Sequence, residues 1–166
     1  MTSITAIWST GPVLLSWVPG DTCDLPITGS HGFCFSGGKV LVCQIRSRGW
    51  SIPGGHLEAG ETPYECLERE LREEACAEIE RATLIGFLVA DHSINPGYTA
   101  RYPVKSALAV FSVSVGELSP HVASNEAESR QLLEPQDLPR VHHQWDLVLG
   151  AAYEEARRRI GLQRGP

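Results

Sequence analysis

An α/β fold, a β-sheet flanked by helices, is what this sequence predicts, and three observations carry the prediction. Strand-like apolar stretches lie on both sides of one strongly acidic helical segment. Those after it, residues 82–90 and 107–115, are as strand-like as those before it. An amphipathic helical pattern then closes the chain. Strands, helix, strands and helix in that order set helical layers against a sheet. A chain of 166 residues is long enough for one domain with a real core.

Each element has local grounds. Residues 4–8 and 13–18 are apolar stretches broken by Gly11-Pro12, as in a strand pair. Residues 19–29 are rich in turn formers, so residues 1–29 read as an N-terminal extension with extra strands on a single domain of residues 1–166. Phe33-Cys34-Phe35 and residues 40–45, joined through Ser36-Gly37-Gly38-Lys39, have the pattern of a β-hairpin. Trp50-Ser51-Ile52 leads into Pro53-Gly54-Gly55, where adjacent glycines let the backbone approach a ligand closely. In residues 107–115, Ala109, Phe111, Val113 and Val115 fall on one side, and Val110, Ser112 and Ser114 on the other. Residues 91–105, with Asn95-Pro96-Gly97, form a loop of a length often used for binding. Trp145, Leu149, Ala152, Ala156 and Ile160 make the apolar stripe of the last helix, with Glu154, Glu155, Arg157, Arg158 and Arg159 mostly facing away.

The acidic segment is the most informative. From Glu58 to Glu78 there are eight Glu and two Arg, a net charge of −6 that equals the net charge of the whole chain. Thr62-Pro63-Tyr64-Glu65 has the form of a capping box, with Pro63 at the first helical position. Tyr64, Leu67, Leu71 and Ala75 form an apolar stripe, and Glu70, Glu73 and Glu74 lie on an arc beside it. Like charges so spaced cost a helix roughly 0.2–0.5 kcal/mol per pair. Carboxylates are also disfavoured near the negative end of the helix dipole. A solvated acidic face is the ordinary explanation of such a helix. A glycine-rich loop entering it favours a compensating ligand, and clustered carboxylate oxygens suit Mg²⁺ or Mn²⁺.

Residues 55–77 resemble the Nudix box, the signature of the Nudix hydrolase family. Gly55, Glu61, Arg69, Glu70, Leu71, Glu73 and Glu74 stand at its fixed positions, and Cys76 replaces its last glycine. The resemblance implies a mixed sheet between helical layers and a hydrolase acting on phosphoric anhydride bonds. It implies Glu70 and Glu74 as principal metal ligands, Glu73 as a further ligand or holder of water, and a backbone carbonyl from Gly54 or Gly55. It also implies that Arg69 pairs with Glu61 to hold the loop against the helix. A left-handed conformation at Cys76 would carry roughly 1–2 kcal/mol of strain.

Outside the box, Glu126 and Glu128 stand where family members often place a carboxylate, as ligand or general base; a plain polar loop is an equal alternative. Arg46 and Arg48 leave the hairpin just before the glycine loop, placed to meet phosphate oxygens. His56 in the glycine loop, with Tyr98, Arg101 and Tyr102 in the long loop, are further candidates for contact with substrate. His142-His143 lacks the spacing of a helical metal pair, so no metal is assigned to it.

Composition excludes several classes. No apolar run approaches the ~20 residues that span a bilayer, and no signal-peptide pattern opens the chain. Five cysteines, an odd number without a CxxC pair, point to a reducing, cytoplasmic setting rather than a disulfide framework or zinc site. The acidic balance argues against non-specific nucleic-acid binding. The expected partner is a nucleotide-type small molecule, with a homodimer open through Trp8 and Trp17. The reading is a Mg²⁺-dependent (or Mn²⁺-dependent) pyrophosphohydrolase that cleaves the diphosphate bridge of a nucleoside diphosphate linked to another moiety. Its rival is a catalytically silent nucleotide-binding or regulatory domain on the same fold, disfavoured because Glu70, Glu73 and Glu74 are all present.

Overall fold

The computed structural model describes residues 2–99, 102–124 and 126–161. Its strands are β1 (Thr2–Trp8), β2 (Gly11–Pro19), β3 (Ile27–Ser36), β4 (Lys39–Ile45), β5 (Gly49–Ser51), β6 (Gly54–His56), β7 (Ala77–Asp91), β8 (Lys105–Leu118) and β9 (Ala127–Leu133). The helices are α1 (Pro63–Ala75), a four-residue α2 (Leu138–Val141) after a 3-10 turn at Pro135–Asp137, and α3 (Leu147–Arg159). The sheet runs β1-β2-β7-β8-β3-β4-β5, with β6 added to β3 and β9 to β4. β3 and β8 pair in parallel and the other pairs are antiparallel, so the sheet is mixed.

Two apolar layers follow from the alternation of the strands. On one face Leu67, Leu71 and Ala75 of α1 pack on Cys34, Leu41, Cys43, Phe87 and Ala109, Phe111, Val113 and Val115. On the other, Val148, Leu149, Ala152, Tyr153 and Ala156 of α3 pack on Trp17, Phe33, Phe35, Val42, Ile85 and Val110. Consecutive residues of β8 thus feed opposite layers, and Ser112, on the α3 side, donates its hydroxyl to the Ala156 carbonyl at 2.9 Å. The architecture is the helix–sheet–helix sandwich that the element order predicts.

Several details differ from the sequence reading. The strand expected over residues 82–90 starts at Ala77 and pairs with β8 across three register shifts; these break the alternation that would have revealed its first half. Tyr64 is 42% exposed, its ring edge against Phe111, because the first turn of α1 buries Cys66 in its place. Trp145 precedes α3 rather than lying on it; Val148 and Tyr153 extend the stripe. Glu155 is buried, not outward, and pairs with Arg158 and with Arg159 at 2.8 Å. Trp17 lies in the core, which removes it from any surface interface, and Trp8 rests edge-on against His92.

The fold brings four elements to one place. β6 adds to β3 with Gly54 opposite His31 and Gly55 opposite Ser30, so the glycine loop is anchored in the sheet. α1 starts seven residues after β6 and packs on β3, β6 and β9. β9, running along β4, carries the residue before it, Glu126, towards α1.

Candidate functional site

The N-terminal turn of α1 forms the capping box that its sequence encodes. Thr62 accepts from the Glu65 amide at 3.3 Å, and Glu65 accepts from the Thr62 amide at 2.8 Å. With its start fixed, α1 presents Glu70 and Glu74, one turn apart, to the glycine loop and to β9. Oxygens of Glu70, Glu74 and Glu126 lie within 4.8 Å of one another. Glu70 and Glu74 are only 6% and 2% exposed, whereas Glu126 is open to solvent.

The loop is shaped to this cluster. The Gly54 amide donates to Glu74 Oε2 at 3.1 Å, and Gly54 has φ +147°, a conformation suited to glycine. A Cβ on Gly55 would stand 2.1 Å from Glu70 Oε1, so only glycine lets that carboxylate lie against the backbone. The Gly55 carbonyl faces the Cys66 thiol at 3.7 Å. The Gly54 amide is thus one backbone group turned to the cluster.

Arg69 ties loop to helix. Its Nε and Nη2 donate to the two oxygens of Glu61 at 2.7 and 3.0 Å, a bidentate pair. The same guanidinium donates to Glu70 Oε1 at 2.9 Å and to the His56 carbonyl at 3.0 Å. Glu61 also accepts from the Glu58 amide at 2.8 Å. The hydrogen bonds from Arg69, then that from Glu58, pull the Glu61 carboxyl down to about 2. Glu73, four residues after Arg69, approaches it at 3.5 Å with its side chain 60% exposed. It sits beside the buried cluster, not in it.

Electrostatics make the cluster receptive to a cation. Burial raises the Glu70 carboxyl despite its bond to Arg69, with Glu73 and Glu126 adding repulsion. Burial pushes Glu74 up to about 7, opposed by the Gly54 amide and reinforced by Glu70 and Glu126. Buried carboxylates of this kind either hold protons or need a counter-charge. The three oxygens, hard donors on α1 and on the segment that enters β9, fit a divalent cation.

β9 separates the two other candidate carboxylates. Gln44 faces Ser129 but Ile45 faces Ala127, a skip that leaves Glu128 in a bulge. Glu128 turns to Arg46 at 2.8 Å, while Glu126 joins the cluster and its carbonyl accepts from the Arg46 amide at 2.9 Å. Arg48 is exposed on the rim of a cleft that runs from Glu70, Gly55 and Glu126 to Trp8, His92 and Tyr98. His56 stacks on Tyr102 with ring centroids 4.5 Å apart, and Tyr98 stacks on His92 at 3.9 Å. Arg101 lies outside the described residues.

Sequence reasoning missed part of this cleft. His31, His92, His142 and His143 line it together with His56. Burial lowers His31 to about 4 and His142 to about 3, with neighbouring cationic groups adding. His143 meets the Trp50 carbonyl through Nδ1 at 3.0 Å. These residues are scattered over more than a hundred positions, and no local spacing signals that the sheet gathers them.

Solved structures share this arrangement of elements. A mutant form of the Bacillus subtilis pyrophosphohydrolase BsRppH is 18% identical, with 98% of this chain and 100% of that one covered at a TM-score of 0.76. A NUDIX hydrolase from Nitrosomonas europaea is 20% identical, covers 83% of this chain and 91% of its own, and scores 0.62. An Ap4A hydrolase from C. elegans, solved as a binary complex, is 16% identical over 81% of this chain and 98% of that one, with a TM-score of 0.60. At such identities the likeness speaks for the fold. Independently of it, the model of the NUDIX domain family matches residues 30–153, most of the chain and all of the acidic helix and its loop. The chain therefore belongs to the NUDIX domain family.

Proposed function

We propose that the protein is a Mg²⁺-dependent pyrophosphohydrolase that cleaves the diphosphate bridge of a nucleoside diphosphate linked to another moiety. The observation that carries the reading is the convergence of Glu70, Glu74 and Glu126 within 4.8 Å, two of them buried. Family membership and pyrophosphohydrolases among the structural neighbours support the reaction class. Residues 1–166 would act as one domain, the first 29 contributing a wall of the cleft through Trp8. Five free cysteines suit a reducing cytoplasm.

Glu70, Glu74 and Glu126 would hold the divalent cation, which when bound supplies charge neutralisation on diphosphate oxygens and activation of water. The chain's own residues do the rest. Arg69 and Glu61 fix the helix against the loop, so the carboxylates are preorganised. Arg48 and Arg46, on the cleft, would meet phosphate oxygens, Arg46 exchanging Glu128 for substrate. Glu73, exposed at the edge of the cluster, is placed to hold a water or a further cation. Glu126, the exposed carboxylate of the three, would, instead of binding the cation, accept the proton of the attacking water in the alternative arrangement. His56, Tyr98 and Tyr102 would border the linked moiety.

Hydrolysis of a panel (nucleoside triphosphates, ADP-ribose, dinucleoside polyphosphates, nucleotide sugars) in ¹⁸O-water tests this reading. The expected result is label in a phosphate-bearing product, loss of turnover in EDTA and its return with Mg²⁺ or Mn²⁺. Label on carbon, or turnover that EDTA leaves intact, overturns the mechanism. Metal-dependent nucleotide binding without cleavage of any member overturns the enzymatic assignment in favour of a silent binding domain.

A further inference from the structure

The exit of α1 is held by a network outside the NUDIX signature, and its centre is Arg130 of β9. Cys76, the residue after the helix, is left-handed with φ +48° and ψ +46° and is the only non-glycine residue with positive φ among the described residues. The family signature places glycine there, where that conformation costs nothing. Here it costs strain, and the last carbonyls of a helix also lack intrahelical donors. Both problems meet at one guanidinium. Arg130 Nη1 donates to the Ala75 carbonyl and, at 3.1 Å, to the Cys76 carbonyl, so it bridges the two peptides that flank the strained residue. Its Nη2 donates to the Ser119 carbonyl at 2.6 Å. The Ser119 amide returns a bond to the Cys76 carbonyl at 3.0 Å, the Val122 amide donates to Cys76 Sγ at 3.4 Å, and His121 Nε2 lies 3.3 Å from the Glu74 carbonyl.

The segments that carry Glu74 and Glu126 are thus linked through the Arg130 side chain. Glu74 is two residues before the strained position, and Glu126 is four residues before Arg130 on the segment that enters β9. We infer that Arg130 is a positioning residue: it closes the left-handed helix exit in place of the missing glycine and so keeps Glu74 and Glu126 in register as one cation site. The inference rests on the reading of that cluster as a metal site. Without Arg130 the exit can relieve its strain by fraying, and Glu74, in the last turn, moves with it. With glycine at position 76 there is no strain to relieve, and the exit stays closed without help.

Mn²⁺ binding, followed by EPR or calorimetry without substrate, reads this directly. Arg130→Met should weaken Mn²⁺ roughly tenfold, and Cys76→Gly added to it should restore most of the loss. Arg130→Lys, which keeps the charge but not the planar fork, should fall between wild type and Arg130→Met, and it serves if the methionine variant does not fold. Unchanged Mn²⁺ affinity in the folded Arg130 variants, or a loss that Cys76→Gly does not reduce, overturns the inference, since a merely structural role would lower the melting temperature alone. Glu74→Gln keeps the two failures apart: if it too leaves Mn²⁺ affinity unchanged, the metal site itself is refuted.

Discussion

The carboxylates of α1 are where sequence and site agree most closely, and where they part. Glu70 and Glu74 were legible because spacing on a helix follows from chain geometry alone. Glu73 shares the spacing but not the environment: burial depends on what the sheet and loop put against each face, and here they cover Glu70 and Glu74 and leave Glu73 exposed. The choice between Glu126 and Glu128 needed the bulge in β9, which no residue type announces. Glu70→Gln and Glu74→Gln should each lower turnover by about 10²-fold or more while circular dichroism stays native, as expected for loss of a charged group that stabilises the transition state. Near-wild-type turnover of both variants at saturating Mg²⁺ is the result that contradicts the assignment.

At the scale of elements, hairpins and caps were readable because their chemistry is local. The glycines of the β3–β4 turn and the capping box of α1 appear where the residues place them. β9 was not readable: Ala-Glu-Ser-Arg-Gln-Leu-Leu has neither alternation nor β-branched residues, and it becomes a strand because β4 offers it a pairing edge. The helix exit lies between these cases. Its left-handed geometry was foreseeable from the family pattern, while the contacts that sustain it come from 43 to 55 residues away in sequence. Cys76→Gly should raise stability by about 1 kcal/mol through relief of strain, less the entropy that glycine adds to the unfolded chain. The Cys76 sulfur contacts to Val122 that the change removes, at 3.4 and 3.8 Å, are weak bonds on an exposed loop and should offset only part of the gain. A melting temperature clearly below wild type shows that these contacts, and not the backbone, dominate.

For the molecule as a whole, the decisive feature is where the charge lies. A net charge of −6 concentrated around one helix is a standing repulsion in the metal-free fold. Its pH dependence follows from Glu74, whose carboxyl is raised from the ordinary 4.5 to about 7 by burial. A group with a raised folded pKa binds its proton more tightly in the folded than in the unfolded state. Its contribution to stability is therefore present below pH 4.5 and is lost as the pH rises through 7. A divalent cation reverses the sign, because it binds the deprotonated carboxylate and must displace that proton at lower pH. With a pKa near 7, proton competition at this one group should weaken apparent Mg²⁺ affinity about tenfold at pH 6 relative to pH 8. At Mg²⁺ concentrations above the dissociation constant, that factor corresponds to about 1.4 kcal/mol of added stabilisation at the higher pH. Thermal melts with EDTA and with Mg²⁺ at both pH values measure it. The Mg²⁺-induced rise in Tm should be larger at pH 8, and Glu74→Gln should shrink the rise and remove most of its pH dependence. A rise that is equal at the two pH values, or larger at pH 6, means that Glu74 does not exchange a proton for the cation.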